Sequence, residues 1–183
     1  MYIQWVMNIT QQPTPSESLL RTYLGGRKPE PWGRYDDCFS VRLDRPVGLS
    51  EFVFAFYTSW VFRRERCILR LAIGAASTDA QARGVANGTE QLFAAWTVGA
   101  RSDSQLLMCD RYETTRSWFR VLPNEGGTTL QFGSAVASPP DRGAVRTIGS
   151  GFRLLLGFHV FYSRVLLRAA VKRLLRSPQI KPG

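Results

Sequence analysis

The sequence predicts an α+β domain in which a curved antiparallel sheet packs against a long C-terminal helix. Three observations lead to this prediction. Four strand-like runs in the middle of the chain are joined by short, turn-rich links, a region with helical periodicity precedes them, and a long amphipathic helix follows them. Strands joined by short links pair as antiparallel hairpins, so we expect one sheet with helices packed on it.

The chain is long enough, at 183 residues, for one domain with a sizeable core. Its net charge of +10 is unevenly distributed, because residues 35–148 carry only +1 whereas residues 149–183 carry +7. The basic excess therefore belongs to the C-terminal segment and not to the body of the domain. We expect a flexible N-terminal extension over residues 1–34 with room for a short helix near Ser18–Leu24, the domain over residues 35–177, and a tail over residues 178–183.

Cysteine spacing and hydropathy favour a reduced, cytoplasmic setting. Cys38, Cys67 and Cys109 are odd in number and form no CxxC or Cys/His cluster, so neither a disulfide framework nor a metal site is expected. The N-terminal stretch MYIQWVMNIT lacks the features of a secretory signal. The longest apolar run, residues 154–163, is too short to span a bilayer. No cofactor is expected, because the sequence contains neither GxGxxG nor a P-loop.

The first strand and the helices after it follow from the spacing of apolar residues. Tyr35–Leu43 alternates between apolar and polar positions, which is typical of a half-buried strand. Apolar residues then recur at helical spacing over Glu51–Ile73, with Ser50 as the expected N-cap and a break near Ser59–Trp60. Thr78 and Gln81 match a capping box, which predicts a short helix ending at Asn87–Gly88.

The four central strands are predicted to form a meander with one apolar face. Pairing Arg101 with Gln105, Tyr112 with Thr115, and Pro123 with Thr128 places the apolar residues of all four strands on the same side. The predicted strands are Phe93–Arg101, Gln105–Arg111, Arg116–Leu122 and Thr128–Ala137, and the pairing gives two apolar rows, Ala100–Leu106–Val121–Leu130 and Val98–Met108–Phe119–Phe132, and a polar row, Trp96–Asp110–Ser117–Ser134. The opposite face is expected to be a solvated surface, since it carries Trp118 among Arg101, Arg111, Arg116 and Arg120.

The C-terminal helix is predicted over Gly151–Ser177 and is long enough to cross the sheet. Basic residues fall on one side of this helix and apolar residues on the other. His159, the single histidine of the chain, lies near the middle of the apolar stripe. We therefore expect His159 to face the sheet. The basic side contains Arg153, Arg164, Arg168, Lys172 and Arg176, and the apolar side contains Phe152, Leu155, Leu156, His159, Tyr162, Leu166, Leu167 and Ala170.

This order of elements resembles the helix-grip fold of the START-like (SRPBCC) superfamily, over roughly residues 35–177. The stretches that carry the resemblance are EFVFAFYTSWVFRRERCILRLAIG, AAWTV, QLLMCD, RSWFRV, LQFGSAV and GFHVFYSRVLLRA, and they are similar to small bacterial members of that superfamily. The resemblance implies an apolar ligand space between the sheet and the C-terminal helix. Members bind lipids, sterols, polyketides, quinones or hormones, and a minority are cyclases or hydrolases; a shared fold does not choose between these functions.

We expect a binding protein for a small apolar molecule such as a lipid or a polyketide. Apolar contacts would come from one group of side chains and orientation of a polar group from another, the usual arrangement of a small-molecule site. The apolar group includes Val98, Met108, Phe119, Phe132 and Leu156, and the polar end of the pocket includes His159, Asp110, Tyr162, Trp96, Ser117 and Ser134.

Two other interpretations of His159 and Asp110 are open. The pair could act as general acid and base in a cyclase or hydrolase, although no nucleophile-elbow motif accompanies it. Alternatively His159 is a core histidine satisfied by one hydrogen bond, with Asp110 at a strand end. No catalytic residue is assigned.

The basic side of the C-terminal helix has three interpretations. Arg164, Arg168 and Lys172 suit the surface of an anionic membrane, where each basic group contributes on the order of 1 kcal/mol. Such a stripe is also typical of an ordinary solvated helix face. Nucleic acid is not an expected partner, because the body of the chain is nearly neutral and lacks an RNP-type motif. The oligomeric state is not predicted.

Overall fold

The computed structural model describes residues 8–25, 35–74, 76–111, 115–136 and 149–176, without the side chains of residues 24–25, 35, 69, 72–73, 136 and 149–161. Seven strands and five helices lie within those ranges. The strands are β1 (Thr10–Gln11), β2 (Tyr35–Leu43), β3 (Leu92–Phe93), β4 (Trp96–Arg101), β5 (Gln105–Asp110), β6 (Thr115–Asn124) and β7 (Gly127–Val136). The helices are α1 (Leu19–Gly25), α2 (Leu49–Tyr57), α3 (Trp60–Ile73), α4 (Asp79–Asn87) and α5 (Gly149–Arg176).

All seven strands form one antiparallel sheet in the order β1-β2-β7-β6-β5-β4-β3. The predicted first strand is therefore next to the last strand of the meander, and the two pair over their whole length. Helix α5 packs on these two strands and on α2, and α2 packs in turn on α4. This confirms the predicted α+β class, with the sheet and the C-terminal helix in the helix-grip arrangement.

Pairing of β4 with β5 starts in the predicted register and then shifts. Val98 lies opposite Met108 as expected, but the register changes between Val98 and Ala100. Gly99 lies at this irregularity, and a Cβ atom there would come within 2.6 Å of the Cys109 sulfur. Only glycine avoids that overlap, so the bulge is built into the sequence.

The predicted pairing of β5 with β6 is wrong by two residues. Met108 lies opposite Ser117, whereas the sequence analysis places it opposite Phe119. A shift of two residues keeps every side chain on its predicted face, so alternation alone does not distinguish the two registers. The pairing of Phe119 with Phe132 in β6 and β7 is confirmed. As a result Asp110 lies outside the row that contains Ser117.

The helices between β2 and β3 agree with the sequence analysis except at one N-cap. The break between α2 and α3 is confirmed. Thr78 and Gln81 form the predicted capping box, with both of its hydrogen bonds. Helix α2 begins at Leu49, so Ser50 is not its N-cap; the Ser50 hydroxyl instead donates to the backbone oxygen of Ala86 at 2.8 Å. This bond ties the start of α2 to the end of α4.

The centre of the outer face of the sheet is covered, so the predicted solvated surface is wrong there, although Arg111 is exposed as predicted. Trp118 is fully buried and Arg116 is 1% exposed. Helix α1 packs on this face, where Leu20 meets Trp118 above Gly133. A Cβ atom at Gly133 would lie 2.9 Å from the Trp118 ring, so the missing side chain makes room for the indole. The buried outer cluster consists of Leu20, Cys38, Leu107, Cys109, Trp118 and Ala135.

Polar groups hold α1 against this face. The Gln105 side-chain oxygen accepts hydrogen bonds from the Trp118 indole at 2.8 Å and from the Leu19 backbone N–H at 3.0 Å. The Ser18 hydroxyl accepts from the Arg21 N–H at 3.1 Å, as an N-cap residue does. Residues 8–25 thus contribute the strand β1 to the sheet and the helix α1 to its outer face. The sequence predicts a flexible extension over residues 1–34. The predicted boundaries of the domain, residues 35 and 177, and the predicted start of the C-terminal tail at residue 178 stay predictions.

Candidate functional site

Aromatic rings fill the interior over the centre of the sheet. The Phe56 ring of α2 lies 4.8 Å from Phe119 and 4.7 Å from Phe132, centroid to centroid, and the latter two are 5.3 Å apart. The Tyr57 ring continues the cluster to Phe93 at 4.7 Å. Three of the predicted apolar contacts, Met108, Phe119 and Phe132, are buried in this core. These side chains therefore fill the space over the central strands of the sheet.

A buried carboxylate joins β2 to β7 at one end of this interior. Asp37 is 2% exposed, and its Oδ1 accepts hydrogen bonds from the Ser134 hydroxyl at 2.6 Å and from the Ser134 backbone N–H at 3.0 Å. The Ser134 hydroxyl also lies 3.3 Å from the Ser163 hydroxyl of α5. The sheet and the C-terminal helix are thus joined by polar contacts and not only by apolar packing.

A second, half-buried acid is bonded to the residue of α5 that precedes Ser163. The Tyr162 hydroxyl donates a hydrogen bond to Glu65 Oε2 of α3. Burial raises the pKa of Glu65 above its ordinary value, while the hydrogen bond from Tyr162 lowers it. Burial likewise raises the pKa of Tyr162, and the neighbouring Glu65 carboxylate raises it further. Burial thus disfavours the charged form of both groups, whereas the hydrogen bond from Tyr162 favours the charged form of Glu65.

The hydroxyl of Tyr57 is buried beside this pair and has no hydrogen-bond partner among the residues that the structure describes. Tyr57 is 1% exposed, and rings of the aromatic cluster surround it. Burial raises the pKa of this hydroxyl, and the charge of Glu65 contributes to the rise. An unpaired buried hydroxyl costs about 1–3 kcal/mol, so native structures rarely retain one without a reason. The interior polar cluster comprises Asp37, Tyr57, Glu65, Ser134, Tyr162 and Ser163.

The predicted polar end of the pocket is only partly assembled. Ser134 and Tyr162 belong to the interior polar cluster, and the half-buried Ser117 pairs with Ser134 across β6 and β7. Trp96 is half-buried, with its ring 5.6 Å from that of Phe62. Trp96 therefore borders the aromatic cluster on β4, next to the edge strand β3.

Asp110 lies apart from that group, at the end of β5. Its Oδ1 accepts a hydrogen bond from the Thr115 backbone N–H at 2.9 Å, across the loop to β6. His159 and Leu156 lie on α5, but their side chains are outside the described residues, so their predicted roles stay predictions. The pairing of His159 with Asp110 that an enzyme would need is likewise untested.

The basic side of α5 has the predicted exposure where the structure describes it. Arg164, Arg168 and Lys172 are exposed, and Arg164 lies 5.5 Å from the centroid of the Phe39 ring. Within the described ranges, no helix is long and apolar enough to cross a membrane. In the same part of the chain, no group of three or more His, Cys, Asp and Glu side chains is placed to hold a metal ion.

Four members of the interior polar cluster are missing from the sequence analysis, and the sequence carries a signal for two of them, Asp37 and Glu65; the other two are Tyr57 and Ser163. Asp37 is two residues before Phe39, so alternation puts it on the inner face of β2. Glu65 is the single acid of α3 and falls between Val61 and Phe62 around the helix, which is the buried side. Tyr57 is simply one of many aromatic residues in α2, and its unpaired hydroxyl is visible only in the structure.

No protein-family model matches the chain, and no curated protein matches it. Among solved structures, it has a similarity to the crystal structure of CalU16 from Micromonospora echinospora. The two are 14% identical, the alignment covers 81% of this chain and 89% of that chain, and the TM-score is 0.32. A similarity at this level carries no argument about function, so the fold assignment rests on the sheet topology described above.

Proposed function

We propose that the chain is a START-like binding protein that holds a small apolar molecule between its sheet and its C-terminal helix. The single observation that carries the proposal is the buried, unpaired hydroxyl of Tyr57. A ligand that accepts a hydrogen bond from this hydroxyl would remove the cost of its burial, since buried polar groups are normally satisfied. Ligand sites commonly combine an apolar lining with a few such convergent polar groups.

The surroundings of the hydroxyl indicate the chemical class of the ligand. The rings beside Tyr57 favour a planar aromatic body, because aromatic pairs contribute beyond the area they bury. A hydroxyl with a raised pKa remains protonated and donates, so the ligand should present an acceptor such as a carbonyl. The nearby Glu65 disfavours an anionic ligand. We therefore propose an uncharged aromatic carbonyl compound, a class that includes aromatic polyketides.

The test uses native mass spectrometry with 2-acetylnaphthalene as the probe and 2-isopropylnaphthalene, which lacks the carbonyl, as its match. The wild-type chain should form a one-to-one complex with the ketone and bind the hydrocarbon more weakly. Tyr57→Phe should weaken ketone binding by about tenfold, the loss of one buried hydrogen bond, and leave hydrocarbon binding unchanged. The same measurement on protein purified from its own host should reveal a co-purifying molecule of the proposed class.

Tyr23→Phe is the matched control, because the Tyr23 hydroxyl lies on the other side of the sheet, where it accepts a hydrogen bond from Arg116 at 2.9 Å. This variant should bind the ketone as the wild type does. Equal affinity of the wild type and Tyr57→Phe for the ketone, or no binding of either probe, would contradict the proposal.

A further inference from the structure

Helix α3 presents an apolar face to solvent. Trp60 is 58% exposed, Ile68 is 64% exposed and Leu71 is 87% exposed. With 3.6 residues per turn, these three positions fall within about 80° of one another around the helix, and the exposed Cys67 lies beside them. Contiguous exposed apolar residues of this size are typical of an interaction surface, whereas isolated ones are ordinary.

Arg63 and Arg70 border this face and Arg64 lies within it, and no exposed acid of α3 offsets their charge. Arg63, Arg64 and Arg70 are exposed, while Glu65, the single acid of the helix, points into the interior. The Arg64 guanidinium lies 5.2 Å from the centroid of the Trp60 ring. No carboxylate of the described residues forms an ion pair with Arg64 or Arg70. The surface therefore combines an apolar stripe with unneutralised positive charge.

A groove of about 470 Å³ follows the basic border of the stripe, between α3 and the start of α4. Its α3 wall consists of Arg63, Arg66, Cys67 and Arg70, and its other wall includes Asp79. Asp79 is bonded to Arg63 and to Arg66, at 2.6 Å in the second case. Arg70 thus adds to the groove a charge that Asp79 does not neutralise. A groove of this kind suits a small anionic group such as a phosphate headgroup.

We infer that α3 docks on the surface of an anionic phospholipid bilayer. Trp60, Ile68 and Leu71 enter the interfacial region, and Arg64 and Arg70 lie at the level of the phosphates. Tryptophan is enriched at this depth of a bilayer, and helices that lie in the interface combine an apolar face with arginine or lysine. This docking is independent of the proposed ligand, because its residues lie on the exposed side of α3.

The same charges disfavour a second copy of the chain as the occupant. A two-fold dimer through this face would bring Arg63, Arg64 and Arg70 of each copy against the same residues of the other. Like charges placed together across an interface are costly, and α3 offers no exposed acid to pair with them. An anionic membrane supplies the missing complementary charge.

The test is co-sedimentation of the full chain with vesicles of phosphatidylcholine alone and with vesicles that also contain phosphatidylserine. The chain should sediment with the anionic vesicles only, and added salt should release it. Leu71→Glu and Ile68→Glu should each lower the partition coefficient by about tenfold or more, since each removes an apolar side chain from the interface. Trp60 fluorescence should shift to the blue on binding, and Trp60→Phe should abolish that shift.

Leu92→Glu is the matched control, because Leu92 is a 56% exposed leucine on β3. It should sediment as the wild type does. Circular dichroism melts should confirm that all of these variants remain folded, as expected for substitutions at exposed positions. Equal loss of binding in Leu92→Glu and Leu71→Glu, or equal binding to neutral and anionic vesicles, would overturn the inference. A wild-type dimer in analytical ultracentrifugation that becomes a monomer in Leu71→Glu would overturn it in favour of self-association.

Charge reversals decide which helix makes the contact. Arg64→Glu and Arg70→Glu should each lower binding by about fivefold, the effect of about 1 kcal/mol per basic group. The triple reversal of Arg164, Arg168 and Lys172 on α5, the membrane face that the sequence predicts, should change binding less than the α3 pair together. Loss of binding in the triple variant with full binding in the α3 variants would reject α3 as the docking surface.

Discussion

The inner face of the sheet is covered by the nine-residue helix α2 and the 28-residue helix α5, whereas the outer face is covered by the seven-residue helix α1. The inner face buries a network of aromatic rings. The outer face buries a cluster of six apolar side chains that includes Trp118, and hydrogen bonds to Gln105 hold α1 in place. On the outer face, the hydrogen bonds of Gln105 thus compensate for the small apolar area that the short helix α1 buries.

The two faces also differ in whether their tyrosine hydroxyls have a hydrogen-bond partner. On the outer face the Tyr23 hydroxyl accepts a hydrogen bond from the buried Arg116, whose guanidinium lies 4.5 Å from the centroid of the Tyr23 ring. On the inner face the Tyr57 hydroxyl is buried without a partner among the described residues. The Tyr23 hydroxyl is therefore paired within the chain, whereas the Tyr57 hydroxyl remains an unpaired donor on the inner face. This difference supports the proposed site on the inner face of the sheet.

The largest expected effect comes from two adjacent residues that point to opposite faces. Trp118→Ala and Phe119→Ala should each lower the free energy of unfolding by about 3–5 kcal/mol, because both side chains are fully buried. Urea denaturation monitored by circular dichroism measures both values. If Trp118→Ala changed stability by less than about 0.5 kcal/mol, as is usual for surface substitutions, the outer face would be solvated as the sequence predicts.

The next effect has opposite signs on the two faces. Tyr57→Phe should raise the free energy of unfolding of the ligand-free chain by about 1 kcal/mol, because it removes a buried hydroxyl that has no partner. Tyr23→Phe should lower it by about 1–2 kcal/mol, because buried Arg116 loses an acceptor. The same denaturation measurement serves for both. A loss of stability in Tyr57→Phe would mean that its hydroxyl is paired.

A smaller effect follows from the raised pKa of Glu65. The unfolded chain ionises this side chain near its ordinary value of 4.5, whereas the folded chain keeps the proton to higher pH. The folded state therefore binds more protons above pH 4.5, so the contribution of Glu65 to stability falls as the pH rises to its folded pKa. Glu65→Gln should remove this fall from the pH profile of the unfolding free energy.

Tyr162→Phe provides the matched comparison for that profile. The hydrogen bond from Tyr162 lowers the pKa of Glu65, so its removal should raise that pKa and extend the fall to higher pH. Profiles of the wild type and Glu65→Gln that stay parallel between about pH 4 and pH 8 would show that Glu65 is not buried in solution.

The smallest effect is a difference in chemical reactivity without a change in fold. Cys38 and Cys109 are buried on the outer face, and burial raises the pKa of Cys38 to about 11, while Cys67 is exposed on α3. A thiol reagent at about pH 8 should therefore modify Cys67 rapidly in the native protein and the other two only after unfolding. Cys67→Ser should abolish the rapid phase. Rapid modification of Cys38 would mean that α1 does not cover the sheet.

Alternation and helical spacing predict which residues share a face, and most of the elements follow from them. Phe119 and Phe132 face inward together, and the capping box at Thr78 starts α4, because these features depend on neighbours in the sequence. The register of β5 against β6 is different, since two alignments that differ by two residues satisfy the same alternation. The bulge at Gly99 likewise depends on the position of the Cys109 sulfur on the next strand.

Coverage of the outer face and the composition of the site depend on contacts between residues far apart in the chain. The contact of Leu20 with Trp118 joins α1 to β6, and no local pattern in residues 1–34 indicates it. A tryptophan among arginines is equally compatible with a solvated strand face. Glu65 and Asp37 could have been assigned to the interior from spacing alone, but their partners Tyr162 and Ser134 come from distant elements.

The most direct test of the proposed ligand site is a crystal structure of the chain in complex with 2-acetylnaphthalene. We expect the ketone to lie between the sheet and α5, with its carbonyl oxygen within about 3.2 Å of the Tyr57 hydroxyl. A ketone bound elsewhere, with the Tyr57 hydroxyl still unpaired inside a closed aromatic cluster, would contradict it.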